Sequence, residues 1–281
     1  MKPAPFDYHR AASIDDAVAV LAASDGEGKL LAGGQSLVPL LSMRLAQPTV
    51  LIDLNGLADL RTAEALDDGR PIARFGAMTR HAHLQRQSLH PMAAHLAGWV
   101  GHTAIRTRGT LGGSIAHADP NAECPALALA SDATIHTSGP GGTRRLAVDD
   151  FFEGMLETAV ADDEVLTHVD LEVPHRWGFG ELARRSGDFA LVLACVSELS
   201  SGWRVVIGGV DSTPVRVTDA EQALAAGVDP VEVAAIVGSR LTAYDDLHAG
   251  VDYRIAMAAE LTRRAAEQAL AGLNDDDRSD A

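Results

Sequence analysis

The sequence predicts an α+β protein of two domains, and three observations predict it. A chain of 281 residues, at roughly 150 residues per domain, is long enough for two cores. Before Pro174 the pattern is one of short strands alternating with short helical segments, opening with a βαβ-like unit. Beyond Trp177 it changes to two longer apolar strands in a hairpin-like meander, followed by helices. The change sets a boundary near residue 175. Residues 1–175 form the first domain, with subdomains of about 1–57 and 58–175, and residues 176–273 form a C-terminal α+β domain of antiparallel strands plus helices.

Each element has its own signal. In SIDDAVAVLAAS, Ser13 reads as an N-cap, Asp16 as the partner that closes a capping box, and Ile14, Ala17, Val18 and Leu21 as one apolar face. KLLAGGQSLVPLLSMRLAQPTVLIDL supplies a short strand, a Gly33-Gly34 break, an apolar turn or helix, and a second strand bounded by Pro48 and Asn55. Residues 58–77 read as two strands joined at DDG, and Thr79 to about Val100 as a helix that Thr79 caps. PALALASDATIHT is a buried helix running into a strand, and LAVDDFFEG and EVLTHVDLEVP are further short elements. FALVLACVSEL and WRVVIGGV are strands joined at SSG, and helices start near Asp219, after Pro230 and around YRIAMAAELTRRAAEQALAG. The closing residues 274–281 are acidic and without apolar periodicity, and read as a disordered tail.

Composition narrows the function. The chain has 47% hydrophobic residues and no apolar run long enough for a membrane span, so no integral membrane segment is expected. MKPAPFDYHRAAS has no apolar core of a secretory signal, which makes a cytoplasmic location the expectation. A formal charge of −16 repels phosphate backbones and disfavours nucleic-acid binding. Cys124 and Cys195 stand alone, which excludes a CxxC zinc site, a four-cysteine cluster within the chain and a disulfide framework, so iron–sulfur chemistry would belong to a partner. The only lysines, Lys2 and Lys29, lie outside any GK[ST] or Schiff-base setting.

Two glycine-rich stretches carry the most specific chemistry, AGGQSL at 32–37 and RGTLGGS at 108–114. Read as tight turns, they expose consecutive main-chain N–H groups, a concavity suited to phosphate oxygens, and two such turns suit two phosphates. Ser36, Thr110 and Ser114 add hydroxyl donors, while the bare α-carbons of Gly33, Gly34, Gly112 and Gly113 would let a ligand approach the main chain. On that reading Gly33→Val or Gly112→Val removes the ligand with less damage to the fold. Neither stretch has GxGxxG spacing, so a Rossmann dinucleotide site is disfavoured.

AGGQSLVPLLSMRLAQPTVLIDL, TRGTLGGSIAHADPNAECPALALASDA and RRSGDFALV together resemble the FAD-binding medium subunit of the molybdenum hydroxylases, the family of the carbon monoxide dehydrogenase medium subunit and the xanthine dehydrogenase flavin domain. The resemblance runs along nearly the whole chain. It implies a vanillyl-alcohol-oxidase-type FAD-binding domain of two α/β subdomains, then the C-terminal α+β domain. It implies FAD as cofactor, with molybdopterin on a large subunit and [2Fe-2S] clusters on a small one. The chain would receive electrons from the iron–sulfur subunit and pass them to an external acceptor: NAD, a quinone, a small carrier or oxygen.

Carried over by position, the cofactor-binding residues are Leu31, Ala32, Gly33, Gly34, Gln35, Ser36 and Leu37, then Thr110, Gly112, Gly113, Ser114, His117, Asp119 and Glu123. Glu123 matches a family acid at the ribose or adenine end, against a plain reading as a solvated loop acid. Asp119-Pro120 also reads as a simple turn initiator. Cys124 is either a thiol near the flavin or a small buried filler. Arg184 and Arg185 lie where the family brings its C-terminal domain toward the isoalloxazine, Arg185 being the candidate to offset charge on reduced flavin, against a reading of both as a solvated edge. The six histidines between 81 and 117 have no metal-site spacing and read as core or surface residues. No general acid or base is assigned. Two other readings stand beside this one: a free-standing flavin oxidase or reductase on the same fold, and a nucleotide-binding interaction subunit without redox activity.

Overall fold

The computed structural model describes residues 2–272, so the segment read as a disordered tail lies outside the described residues. The chain opens with β1 (Asp7–Arg10), α1 (Ile14–Ala22), β2 (Gly28–Leu31), α2 (Leu37–Ser42) and β3 (Val50–Asp53). The three strands form a parallel sheet in the order β1-β3-β2. Sequence signals missed β1, a largely exposed strand that follows Pro3 and Pro5 and has no apolar alternation. Ala17, Val18 and Leu21 of α1 pack with Ile52 and Leu54, as the helical period requires. Ser13 Oγ accepts from Asp16 N at 3.1 Å, so the cap forms. The reciprocal half of the box does not: Asp16 Oδ2 takes Ala12 N at 2.8 Å and His9 Nε2 at 2.9 Å.

The second unit carries β4 (Ala63–Asp67), β5 (Pro71–Gly76), α3 (His81–Leu84), α4 (Pro91–Trp99), α5 (Thr103–Arg106), α6 (Leu111–His117), α7 (Glu123–Ala130), β6 (Thr134–Gly139), β7 (Gly142–Ala147), β8 (Phe152–Gly154), β9 (Glu157–Thr158) and β10 (Val165–Glu172). Its main sheet is antiparallel, in the order β4-β5-β10-β6-β7. Two expectations are corrected. The helix expected from Thr79 to Val100 is broken into α3 and α4, because Pro91 drives His90 to extended backbone and α4 restarts there, with His90 Nδ1 accepting from Ala93 N at 3.1 Å. Thr79 caps nothing; its buried hydroxyl has no partner, and Arg80 precedes α3. The stretch RGTLGGS at 108–114, expected as a turn, instead runs from Leu111 into helix α6 in spite of two glycines, capped by Thr110, whose Oγ1 accepts from Gly113 N at 3.1 Å.

The last unit comprises β11 (Arg176–Ala183), β12 (Ala190–Leu199), β13 (Gly202–Gly208), β14 (Val215–Arg216), α8 (Thr218–Ala225), α9 (Pro230–Arg240) and α10 (Val251–Ala271). The antiparallel sheet β11-β12-β13-β14 is apolar on both faces, which explains why its strands read as continuous hydrophobic runs. Alternate residues divide between two cores. Ala190, Leu193, Cys195 and Val206 join the core around α4 and α7, whereas Val192, Ala194, Val196, Val205 and Ile207 join that of α8, α9 and α10. Strand β11 was missed because its glycines interrupt the run. Gly178 serves packing: a Cβ there would lie 1.9 Å from the Ala265 carbonyl oxygen of α10.

Candidate functional site

The two glycine stretches meet in space. Residues 31–37, all half-buried, leave the end of β2, turn at Gly34 (φ +73°), and enter α2 at Leu37. Gln35 Nε2 steadies the turn by donating to the Gly33 carbonyl at 3.0 Å, and Ser36 precedes α2 without a side-chain cap bond. A Cβ at Gly33 would lie 2.5 Å from the Arg108 carbonyl oxygen and 2.7 Å from Gly109 Cα. One at Gly113 would lie 2.6 Å from Thr110 Oγ1 and 3.2 Å from Ala32 Cβ, and one at Gly112 would lie 2.5 Å from Ala77 Cβ. The bare α-carbons of Gly33 and Gly112 thus admit neighbouring protein backbone, a use the sequence alone did not distinguish from room for a ligand.

A polar tie holds the motifs together. Asn55 Nδ2 donates to the Ala32 carbonyl at 2.9 Å, and Asn55 Oδ1 accepts from Arg80, which also donates to the Arg108 carbonyl. Arg61 donates to the Asn55 carbonyl. Asn55 read only as a strand boundary and Arg80 carried no sequence signal, since both are single polar residues at the ends of short elements.

The remaining positions lie further along the same chain. Ser114 and His117 are half-buried on α6, which Ala118 ends in the left-handed region (φ 52°). Asp119 Oδ1 accepts from Asn121 N at 2.9 Å, the turn that Asp-Pro implies. Glu123 opens α7 and is only 5% exposed, which removes its reading as a solvated loop acid. Cys124 is a buried free thiol pushed up to about 12 by burial, a packing group rather than a nucleophile, with His81 Nδ1 at 3.9 Å.

Beside α4 and α5 lies a cavity of about 910 Å³ that Trp99, His102, Arg106, Glu181 and Arg185 help to line. Gly101 to Arg106 connect this cavity to the Arg108–Gly109 backbone of the cradle. Arg185 is exposed at its edge, whereas Arg184 pairs with His248 Nδ1 at 2.9 Å. Glu181, on β11, has a buried Oε2 with no partner. Burial raises the Glu123 and Glu181 pKa values; the charge of Asp119 adds to the rise at Glu123, and that of Glu123 adds to the rise at Glu181. Arg106 offsets part of that at Glu123. Among the described residues, no helix is long and apolar enough to cross a membrane.

Known proteins are similar to this chain along nearly its whole length. A family model described as the FAD binding domain in molybdopterin dehydrogenase matches residues 4–175, and one described as the CO dehydrogenase flavoprotein C-terminal domain matches residues 177–269. The nicotine 6-hydroxylase medium subunit of Paenarthrobacter nicotinovorans is 38% identical, over 94% of this chain and 97% of its own length. The carbon monoxide dehydrogenase medium chain of Hydrogenophaga pseudoflava is 33% identical, over 96% and 99%. A solved structure of the carbon monoxide dehydrogenase of that organism superimposes with a TM-score of 0.89 at 32% identity, covering 98% of this chain and all of the matched one.

Proposed function

The chain belongs to the FAD-binding medium-subunit family of molybdopterin-dependent dehydrogenases, and from that premise we propose that it is the electron-transfer subunit of a multi-subunit molybdenum hydroxylase. Its reaction class is oxidoreduction and its cofactor is FAD. In the proposed complex a molybdopterin-binding large subunit oxidises the substrate, an iron–sulfur small subunit relays the electrons, and this chain delivers them to an external acceptor. The observation that carries the reading is the meeting of the two glycine motifs next to a cavity of about 910 Å³.

The residues present fit FAD. The main-chain N–H groups of the loop at 33–36, with the Ser36, Thr110 and Ser114 hydroxyls, would hold the diphosphate, whereas the N–H groups of Leu111, Gly112, Gly113 and Ser114 at the start of α6 already donate to Thr79, Ala77 and Thr110. Thr110 Oγ1 already accepts from Gly113 N, so its hydroxyl hydrogen remains free to donate. Glu123 would accept from ribose hydroxyls, and Arg185 at the cavity edge would face the ring system. When bound, FAD supplies the exchange between one-electron and two-electron transfer. The protein contributes position and charge: Gln35, Asn55 and Arg80 fix the loops, and Trp99, packed on Phe179 at 5.6 Å between ring centroids, forms part of the cavity wall.

Purification tests the reading directly. The full chain, folded with excess FAD, is expected to carry flavin absorbance near roughly 450 nm, and the native protein to co-purify with molybdenum-bearing and iron-bearing chains. Isolation of the native protein alone, with flavin but neither metal, would instead favour a free-standing flavin oxidase or reductase.

A further inference from the structure

In a chain of net charge −16, Arg80 has two other arginines, Arg61 and Arg108, among its charged neighbours. Arg80 stands at the centre, donating to Asn55 Oδ1 and to the Arg108 carbonyl, while Arg61 donates to the Asn55 carbonyl. Every one of these acceptors is neutral. Among the described residues none of the three arginines forms an ion pair with a carboxylate, whereas Arg70, Arg74, Arg176 and Arg216 all do. Burial first, and then the charges of Arg61 and Arg108, push the Arg80 pKa down. Asp53 is the carboxylate that opposes this, and it already accepts from Tyr8 Oη at 2.6 Å and Asn55 N at 2.9 Å.

Like charges held together cost free energy that an anion would offset. The cluster lies where such an anion would be useful, because Arg80 bonds to the side chain that holds the Ala32 carbonyl and to the carbonyl that abuts Gly33. We propose that Arg61, Arg80 and Arg108 form a cationic rim to the glycine cradle that binds the phosphates of its ligand, the diphosphate of FAD. This rests on the flavin reading above. The neutral main-chain cradle would orient the diphosphate, and the rim would supply the charge that peptide groups lack.

The test uses the full chain stripped of flavin, with Arg61→Gln and Arg108→Gln as variants; Arg80 is left in place because it ties the motifs. FAD binding, followed by flavin fluorescence at increasing KCl, is expected to weaken about tenfold in each variant and to lose part of its salt dependence. Riboflavin, which has no phosphate, should bind all three proteins equally, and inorganic pyrophosphate should compete with FAD most strongly in the parent. Unchanged FAD affinity and salt dependence in both variants, or an equal loss for riboflavin, would overturn the proposal. If the parent binds no flavin yet pyrophosphate raises its melting temperature in an Arg61- and Arg108-dependent way, the flavin reading falls and the rim stands as a site for another phosphate. No response to pyrophosphate in that case would remove the rim as well.

Discussion

Gly33 packs directly on Gly109: a methyl group on the first would lie 2.7 Å from the α-carbon of the second and 2.5 Å from the Arg108 carbonyl oxygen. Backbone meets backbone here, so the side chain missing from Gly33 is what lets the two motifs close on each other. Gly33→Ala is therefore expected to lower stability by on the order of 1–3 kcal/mol and to weaken FAD binding in parallel, because the loop must move away from Arg108. Gly112→Ala should destabilise similarly with its Cβ against Ala77, and Gly112→Val should damage folding itself, contrary to the sequence expectation. Denaturant midpoints measured beside flavin affinities check this. Flavin loss with unchanged midpoints would restore the simpler picture of a blocked ligand approach.

Glu123 and Glu181 give a second prediction, in pH. Burial raises both carboxyl pKa values, Glu181 to about 9, so between the ordinary value of 4.5 and that value the folded chain holds more protons than the unfolded one. Stability must then fall as pH rises through this window. Glu181→Gln, neutral at every pH, should flatten the decline and raise the melting temperature at pH 9 by about 4 °C. Parallel pH curves for parent and variant would count against a protonated pair.

How much of this was legible in the sequence depended on whether the deciding contact was local. The Ser13 cap, the βαβ unit and the Ser200-Ser201 hairpin rest on neighbours in sequence, and all three form. The two glycine motifs, paired from the sequence, do meet in space, yet their glycines could not be sorted by purpose, since Gly33 and Gly112 contact residues 75 and 35 positions away. Helix α6 was misread because two glycines outweigh Thr110 in local propensity, whereas burial of Leu111 and Ile115 outweighs the glycines in the fold. Asn55, Arg80 and Glu181 acquire meaning only from partners that other elements bring.

Acid should destabilise the chain through His81 and His90. Burial dominates both, and their pKa values are lowered to about 4. The unfolded chain takes up protons near 6.5 and the folded chain does not, so each contributes stability present above that pH and lost as pH falls toward 4, on the order of 3 kcal/mol apiece. His90 Nε2 also donates to the Glu172 carbonyl at 3.0 Å, because Nδ1 accepts from Ala93 N. His90→Asn should keep a cap at α4 while reducing the acid sensitivity. Equal loss of stability between pH 7 and pH 4 in parent and variant would show that His90 does not carry it.

Arg254 offers the last prediction, at long range from the cradle. Its guanidinium is buried on α10, pairs with Asp246 at 2.8 Å, and donates to the carbonyls of Leu191 and Gly209. It also lies 4.5 Å from the ring centroid of Tyr244, whose hydroxyl donates to Asn121 Oδ1 at 3.1 Å. Gly209 N in turn donates to the Pro120 carbonyl at 2.9 Å, so two routes lead from Arg254 to the turn that precedes Glu123. Arg254→Met would leave Asp246 and two carbonyls without their partner, which is expected to cost about 3–5 kcal/mol. If the routes are real, amide exchange should also accelerate at Asn121 and Ala122 under conditions where most of the variant remains folded. Exchange there that changes no more than in the distant helix α1 would mean that Arg254 stabilises its own helix and leaves the cradle untouched.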